Sequence, residues 1–386
     1  MMSWERQKST ISEEPEEPSS TLWLMLGVVS LVVSVLLFVI HANKLAGPLQ
    51  EFNIWIVAAA PLVAWFIFLC LRGWLYNEAC DKHQFDSDEA DYAQQKWTTW
   101  AGRHIAVLHS GVMLPDSLAP ALLLTAPPVL EQNIRLTKRI RLPAGKDPFS
   151  VLLTGMGNVL AKLPADLPFT VTLLTDTGED PATLQTTFAK VWQANISLRP
   201  VPALICCDSK SFLSVEERIK FPTLNVELLL VHQMQGGEIY SDALAALLLT
   251  SDDVATKYQL GHRARLLRPM LLDPTQELHT ELDTFFSTQS QANTTDAIVG
   301  DAMAWGNLFS TLLASTKEYN GNWKPEQCHW LEKYAGLSGP FSPWIMAAVV
   351  SDIVALTQSD CLMLSEDNDH RFINTITTGD PVNGQG

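Results

Sequence analysis

Residues 21–41 read TLWLMLGVVSLVVSVLLFVIH, and residues 54–71 read IWIVAAAPLVAWFIFLCL. Neither segment contains Asp, Glu, Lys or Arg. A helix rises about 1.5 Å per residue, so roughly 20 uncharged residues match a hydrocarbon core about 30 Å thick, and the backbone polar groups pair inside the helix. The two segments therefore predict a transmembrane hairpin, in preference to two core helices or a cleaved signal peptide.

The orientation of this hairpin follows from the basic residues beside it. Arg6 and Lys8 precede the first span, Lys44 alone lies in the connection, and Arg72 and Lys82 follow the second span. The positive-inside rule then favours both termini and the large body in the cytoplasm of a bacterium. The sequence thus predicts a multi-pass inner-membrane protein that contacts the lipid bilayer through residues 21–71.

Composition excludes some classes of partner and of bond. The net charge of −16 argues against nucleic acid, which requires a basic face. The six cysteines are scattered, with one inside the second span, as is usual in a reducing compartment where thiols stay free. An oligomer is compatible with the sequence, but no feature specifies one.

Changes in composition along the chain divide it into segments. After the hairpin, short apolar runs separated by proline alternate with helical patterns, which predicts an α/β body with a mixed sheet covered by helices. We expect strands at 121–124, 169–175 and 226–232, helices at 181–194, 296–317 and 343–357, and a loop at 283–293. The predicted organisation is a disordered acidic tail (1–20), the hairpin (21–74), a juxtamembrane helix (75–102), a first α/β half (103–202), a second α/β half (203–376) and a disordered tail (377–386).

The run ALLLT occurs twice, at residues 121–125 and 246–250. A duplicated α/β unit would produce such a repeat. Five matching residues among leucine-rich segments also arise by chance, so both explanations remain open.

The residues that could carry chemistry form no complete motif. Cys206 and Cys207 offer a nucleophile if a histidine such as His232 lowers a thiol pKa, and buried cysteines at a strand end are the alternative. Asp176 and Asp180 suit either acid/base chemistry or a turn with a helix N-cap. The glycines and the paired Cys and His residues match neither a phosphate loop nor a zinc site, so the sequence predicts no cofactor and no metal.

Basic residues concentrate in two places in this acidic chain. They are candidates for binding an acidic protein or anionic headgroups, although a charged strand edge explains the first cluster equally well. The residues are Arg135, Lys138, Arg139 and Arg141 in the first cluster, and Arg263, Arg265 and Arg268 in the second.

Two longer segments carry a resemblance to known families. Residues 224–253 read LNVELLLVHQMQGGEIYSDALAALLLTSDD, and residues 336–356 read GLSGPFSPWIMAAVVSDIVAL. Together with the hairpin, the chain resembles uncharacterised inner-membrane proteins associated with bacterial type VI secretion systems. The second half also resembles thiolase-like enzymes, which implies a degenerate thiolase-like duplication, because the cysteine and histidine settings of a working member cannot be assigned here.

These features lead to three functional expectations. The principal one is a membrane-anchored, non-catalytic scaffold that binds other proteins of a type VI-like secretion apparatus. The first alternative is an enzyme that acts on an acyl or other small substrate through a cysteine near 206–207. The second is an adaptor or immunity protein for a secreted effector.

Overall fold

The computed structural model describes residues 4, 10–45, 47–125, 133–196, 199–319, 321, 323–367 and 370–380. Its helices are α1 (Ser20–Ala42), α2 (Ile54–Ala101), α3 (Pro120–Thr125), α4 (Pro148–Leu152), α5 (Met156–Lys162), α6 (Pro181–Asn195), α7 (Ser214–Lys220), α8 (Asp252–Lys257), α9 (Leu278–Thr288), α10 (Phe309–Thr316), α11 (Glu332–Ala335) and α12 (Ser342–Thr357). Its strands are β1 (His104–Met113), β2 (Phe169–Thr175), β3 (Leu204–Cys207), β4 (Val226–Gln233), β5 (Ala243–Ser251), β6 (Ala264–Leu267), β7 (Met270–Leu272), β8 (Ala297–Gly300), β9 (Cys328–Trp330), β10 (Cys361–Glu366) and β11 (Arg371–Thr378).

The chain separates into two compact units, a hairpin unit (Gln7–Lys96) and a body (Met1–Arg6 with Trp97–Gly386). In the hairpin unit, α1 and α2 are both long and apolar enough to cross a membrane. They pack closely because Gly27 of α1 leaves room for the Trp65 indole, and a Cβ at Gly27 would lie 3.0 Å from that ring. The Trp65 Nε1–H donates to the Trp23 carbonyl over 3.1 Å, which fixes the pair.

The acidic segment before α1 is extended in its described part, residues 10–19. The Ser12 carbonyl lies 2.7 Å from His83 Nδ1 of α2, and Arg72 donates to the Glu16 carbonyl over 3.4 Å. The part of the predicted disordered tail that the structure describes therefore runs beside α2. Residues 1–3 and 5–9 lie outside the described chain.

A single 11-stranded sheet organises the body, and the predicted mixed α/β fold is confirmed. Ten strands follow the order β3-β2-β4-β5-β1-β6-β11-β10-β8-β9, and β7 pairs with β11. Strand β2 is parallel to β3 and β4, and β8 is parallel to β9 and β10, whereas the other neighbours are antiparallel.

The strand order shows an internal duplication. Reading outward from the middle of the sheet, the first half runs β1-β5-β4-β2-β3 and the second half runs β6-β11-β10-β8-β9. Chain order and strand directions correspond throughout, and α7 precedes β4 as α12 precedes β10. The boundary between the copies falls between α8 and β6, later than the predicted 202/203. The two ALLLT runs lie in helix α3 and strand β5, so they do not belong to the repeat.

The two copies meet where β1 pairs with β6. His104 faces Leu267 and Val107 faces Ala264 in an antiparallel ladder of four residue pairs. One face of the whole sheet packs on α3, α7 and α12, whose apolar side chains join strands of both halves in one core. The opposite face is covered by α4, α5, α6 and α8 in the first half and by α9 and α10 in the second.

Three sequence-based element assignments were wrong. Residues 121–124 are helical, because Pro120 begins a helix and a short run of Ala and Leu satisfies either periodicity. Residues 283–293 include most of α9, and the expected helix at 296–317 begins instead with strand β8. All four residues of β8 are buried, so the alternation of a half-exposed strand is missing from its sequence.

A buried cation holds the end of α2 in the body. The Arg268 side chain is 1% exposed, its guanidinium lies 4.0 Å from the centre of the Trp100 ring, and its Nη1 lies 3.3 Å from Glu216 Oε1 of α7. Burial lowers the pKa of Arg268, and the Glu216 carboxylate opposes that shift. The Gln289 Nε2–H₂ group donates to the carbonyls of both Arg268 and Ala101, which closes the cluster.

Removing this cation should destabilise the body strongly. R268A leaves Glu216 without its partner and opens a cavity beside Trp100, so we expect the free energy of unfolding to fall by about 3 kcal/mol. Urea unfolding of the full chain in detergent measures the change. R265A is the matched control, because its ion pair with Asp380 is 31% and 74% exposed, and it should cost less than about 1 kcal/mol. Equal losses in the two variants would contradict the role of Arg268.

Candidate functional site

Two aspartates occupy equivalent positions in the duplicated halves. Asp176 follows β2 and Asp301 follows β8, and each main-chain N–H donates to a carbonyl of the neighbouring parallel strand, at His232 and Leu364. Each carboxylate then accepts the main-chain N–H two residues further along that strand, over 3.0 Å from Met234 and 2.7 Å from Glu366. The carboxyl ends of parallel strands are where α/β sheets usually place functional groups.

The environments of the two carboxylates differ. Asp176 also accepts from the Gln235 N–H and the Tyr240 hydroxyl at the half-exposed end of the first half, as a turn clamp would. Asp180, the other acid of that segment, caps α6 by accepting from the Ala182 N–H over 3.1 Å. The turn and N-cap interpretation of this segment therefore describes the observed geometry.

Asp301 is fully buried, and it is the acid whose surroundings suit proton transfer. Its Oδ1 accepts from Trp305 Nε1 over 2.8 Å, and its Oδ2 accepts from Ser342 Oγ over 2.6 Å. Burial raises the pKa of Asp301 to about 6, although the donors from Ser342, Glu366 and Trp305 oppose the shift. A carboxyl group with a pKa near 6 exchanges protons easily at neutral pH.

Ser342 is the first residue of α12, a 16-residue helix that is buried along most of its length. The loop before it, residues 336–341, turns through Gly336 at φ +80°, where a Cβ would overlap the Leu136 carbonyl and Ser241 Oγ. Gly339 lies equally close to the Gln233 side chain, whose Oε1 accepts the Phe341 N–H. The two glycines thus let the loop pass tightly between the halves and present the N-terminus of α12.

A cleft of about 290 Å³, including its open mouth, lies between the halves in front of α12. Its polar walls come from the end of β4, the start of β5 and the loop before α12. The residues that supply polar side-chain or main-chain groups to these walls are Gln233, Ser241, Asp242, Ser338, Gly339 and Ser342. The main-chain N–H groups of Ser338 and Gly339 have no acceptor among the described residues.

The first basic cluster lies against this cleft. It belongs to an extended segment, residues 133–142, which we call the strap. The Lys138 N–H donates to Ser241 Oγ over 3.1 Å, and Arg139 Nη1 donates to Asp242 Oδ1 over 2.6 Å. Lys138 Nζ also pairs with Asp116 at 3.0 Å, while Arg141 is exposed.

The second basic cluster forms ion pairs within the chain. Arg263 pairs with Asp352 of α12 at 2.9 Å, Arg265 pairs with Asp380 at 2.6 Å, and Arg268 is the buried cation described above. Its three members are thus paired within the chain, so the two basic clusters differ in the charge that they offer to a partner.

The structure does not bring the cysteine candidates to His232. Cys207 packs in the core shared with α7 and α12, whereas Cys206 packs on the opposite face of the sheet. Strand β2 separates β3 from β4, so the chains of Cys206 and His232 lie two strand spacings apart, about 10 Å. Burial raises the pKa of the Cys206 thiol, and burial lowers the pKa of His232, whose Nδ1 lies 3.1 Å from Thr175 Oγ1.

Among the described residues, no group of three or more His, Cys, Asp or Glu side chains is placed to hold a metal ion.

Comparison with known proteins returned structural likeness only, because no family model and no curated protein matches the chain. One similar structure is a type II polyketide acyl-carrier protein in complex with its ketosynthase, at TM-score 0.49 and 11% identity, covering 72% of this chain and 99% of that one. A ketosynthase domain from Streptomyces albus matches at TM-score 0.43 and 11% identity, covering 72% of this chain and 95% of that one. The 3-oxoacyl-(acyl carrier protein) synthase III of Pseudomonas aeruginosa matches at TM-score 0.38 and 13% identity, covering 73% of this chain and 100% of that one.

At identities of 11 to 13% and TM-scores below 0.5, this likeness concerns the chain fold and transfers no activity. The similar structures are ketosynthases and an acyl-carrier-protein synthase, and the likeness lies in the fold, which is what the resemblance of the second half to thiolase-like enzymes implies. The likeness to type VI secretion proteins is not shown by these comparisons.

The expectation of a non-catalytic scaffold for a secretion apparatus is therefore corrected. It depended on the lack of a catalytic constellation in the sequence, whereas the fold places the Ser342 hydroxyl against the buried Asp301 carboxyl. The expected roles in protein binding and in a secretion system are corrected with it.

Sequence reasoning missed both members of this pair. Asp301 was placed inside a predicted helix, and Ser342 appeared only within the segment quoted for its resemblance. The available signal was the run from Gly336 to Pro343, in which two glycines and a proline precede a long apolar helix.

The Asp301 carboxyl should make stability depend on pH. Its folded-state pKa of about 6 exceeds the usual value of about 3.9, so the folded chain binds this proton more tightly than the unfolded chain. The stability contributed by Asp301 is therefore largest at low pH and falls as the pH rises from about 4 to about 6. We expect the difference in unfolding free energy between the wild type and D301N to decrease over that window. Infrared spectroscopy of the carboxyl C=O band that D301N removes should give a midpoint near pH 6, and a midpoint near 4 would contradict the assignment.

Proposed function

We propose that the chain is an enzyme that acts on an acyl or other small substrate in the cleft between its halves, with Ser342 as the nucleophile. The observation that carries the proposal is the 2.6 Å hydrogen bond from Ser342 Oγ to Asp301 Oδ2, at a carboxyl group whose pKa is about 6. A nucleophile within hydrogen-bond reach of a base, in a cleft, is the usual arrangement for covalent catalysis.

The proposed first step is acyl transfer to the serine. Ser342 Oγ forms a bond to the carbonyl carbon of the substrate while its proton passes to Asp301 Oδ2. The bond to the leaving group then breaks, and the leaving group departs with that proton. In a second step, water or another nucleophilic acceptor forms a bond to the acyl carbon while Asp301 takes its proton. The bond between the acyl carbon and Ser342 Oγ then breaks, and Asp301 returns that proton to Oγ.

The oxyanion formed in each step needs donors. The free N–H groups of Ser338 and Gly339 lie in the wall of the same cleft. The N-terminus of α12 adds a partial positive charge at Ser342, because the peptide dipoles of its 16 residues are aligned. These groups support the proposal without requiring a cofactor.

The nucleophile can be tested with a fluorophosphonate probe and a short p-nitrophenyl ester on the full chain in detergent. S342A should lose probe labelling and at least about 1,000-fold in ester hydrolysis, because the attacking oxygen is removed. S214A is the matched control, since Ser214 opens α7 in the first half as Ser342 opens α12, and its activity should be unchanged.

The paired variants C206A and C207A separate this proposal from the sequence-based alternative. They should retain hydrolysis and labelling, whereas loss of activity in either would transfer the nucleophile to the cysteine. Labelling of S342A at the rate of the wild type would overturn the proposal, provided that the melting temperature shows the variant to be folded.

We further propose that α1 and α2 anchor the chain in a bacterial inner membrane, with both termini and the body on the cytoplasmic side. Their length and composition support insertion, and the basic residues beside them support this orientation.

The orientation can be measured by cysteine accessibility in whole cells. A cysteine placed at Ser19 or Gly386 should react only after the membrane is permeabilised, and one placed at Asn43 should react with an impermeant maleimide added outside, after the native cysteines have been replaced. The opposite pattern would reverse the topology, and release of the chain by alkaline extraction would exclude insertion.

A further inference from the structure

The outer surface of the strap combines exposed apolar and basic side chains. Leu136 is 51% exposed and Ile134 is 38% exposed, and Arg135 stands between them at φ +59°, a turn that directs the three side chains away from the body. From residue 137 the chain is extended, so Arg139 and Arg141 share the outer side while Ile140 is buried.

The neighbouring turn extends this surface. Arg139 Nη1 donates to the Tyr240 carbonyl over 3.3 Å, which places the turn between β4 and β5 beside the strap. Ile239 in that turn is 77% exposed, the largest exposure among the apolar side chains of the body. We define the strap surface as Ile134, Arg135, Leu136, Arg139, Arg141 and Ile239.

The charges of the strap surface are only partly neutralised within the chain. Arg139 pairs with the buried Asp242, and Glu238 is an exposed acid beside Ile239. Arg135 and Arg141 are exposed, and their side chains have no acidic partner among the described residues. In a chain of net charge −16, this surface is locally positive.

We propose that the strap surface binds the anionic lipid surface of the membrane in which the chain is anchored. Exposed apolar residues interleaved with arginine are what an interfacial membrane-binding segment requires, because the apolar groups enter the headgroup region and the cations meet lipid phosphates. The negative charge of the rest of the body repels the same surface, so the strap surface sets the face that approaches it.

An anionic lipid surface fits better than an acidic protein. The exposed apolar side chains of this surface need an apolar phase to enter, and a membrane supplies one beside its anionic phosphates. Because the strap contacts Ser241 and Asp242 of the cleft wall, binding would bring the cleft towards the bilayer. An amphiphilic substrate drawn from the membrane would then reach Ser342 directly. The lipid binding rests on the proposed membrane anchor and does not depend on the chemistry of Ser342.

Hydrogen exchange of main-chain amides in the strap can test lipid binding. The N–H groups of Thr137, Arg139 and Arg141 have no acceptor among the described residues, so their hydrogen exchange should be fast in solution. The full chain is reconstituted into vesicles of phosphatidylcholine alone, or with 30% phosphatidylglycerol. We expect exchange of these amides to slow about tenfold or more in the anionic vesicles only, and the slowing to disappear in 0.5 M NaCl.

Matched variants identify the residues responsible. Arg135→Gln with Arg141→Gln should abolish the slowing, and Leu136→Ser with Ile239→Ser should reduce it. Lys162→Gln with Lys190→Gln removes the same charge from exposed positions on α5 and α6 and should leave it intact. Equal exchange in both kinds of vesicle, or equal loss in the control variant, would overturn the proposal.

Flotation of the same samples separates failure of the anchor from failure of the strap. A chain that does not float with neutral vesicles has no working membrane anchor. If that chain still floats with anionic vesicles at low salt but not at high salt, the strap surface alone binds the lipid. Ester hydrolysis by the same samples in detergent reports Ser342 independently.

Discussion

The antiparallel ladder between β1 and β6 is the constraint on which the body depends. Four residue pairs join a unit of five described strands and a unit of six into one sheet with one continuous inner face. Because that face belongs to both halves, the apolar helix α12 can be buried against strands from each of them. The N-terminus of the helix then emerges between the halves, where the loop after Gly336 and the end of β4 enclose a cleft that neither half would form alone.

The polar groups of the cleft follow from the same geometry. A carboxylate at the end of β2 or β8 can clamp the adjacent strand, and both Asp176 and Asp301 do so. Only in the second half does a long helix cover the carboxylate, which removes it from water and raises its pKa. The two halves thus share one hydrogen-bonding pattern, and they differ in how deeply the aspartate carboxylate is buried.

The sequence predicts the parts of this fold that depend on local periodicity. The hairpin, α6, α12 and the buried strands β2 and β4 are long or strongly patterned, and their positions match the expectations closely. Short apolar runs fail, as residues 121–124 show, because two turns of helix and a buried strand have the same composition. The duplication is also hidden, since it lies in strand order and register, and pairs such as Thr175 with His232 and Gly300 with Leu364 share no residue type. The Ser342 and Asp301 pair joins residues 41 positions apart, which no local pattern could report.

The duplicated topology also indicates how such a chain can arise. Two copies of one unit, joined edge to edge by an antiparallel pairing of equivalent strands, form the arrangement of a symmetric homodimer whose subunits have been fused into a single polypeptide. Fusion releases each former subunit from the requirement to be identical. Helix α7 has seven residues and α12 has sixteen, so the two copies differ in the helix that covers their shared inner face, and the crevice between them is asymmetric.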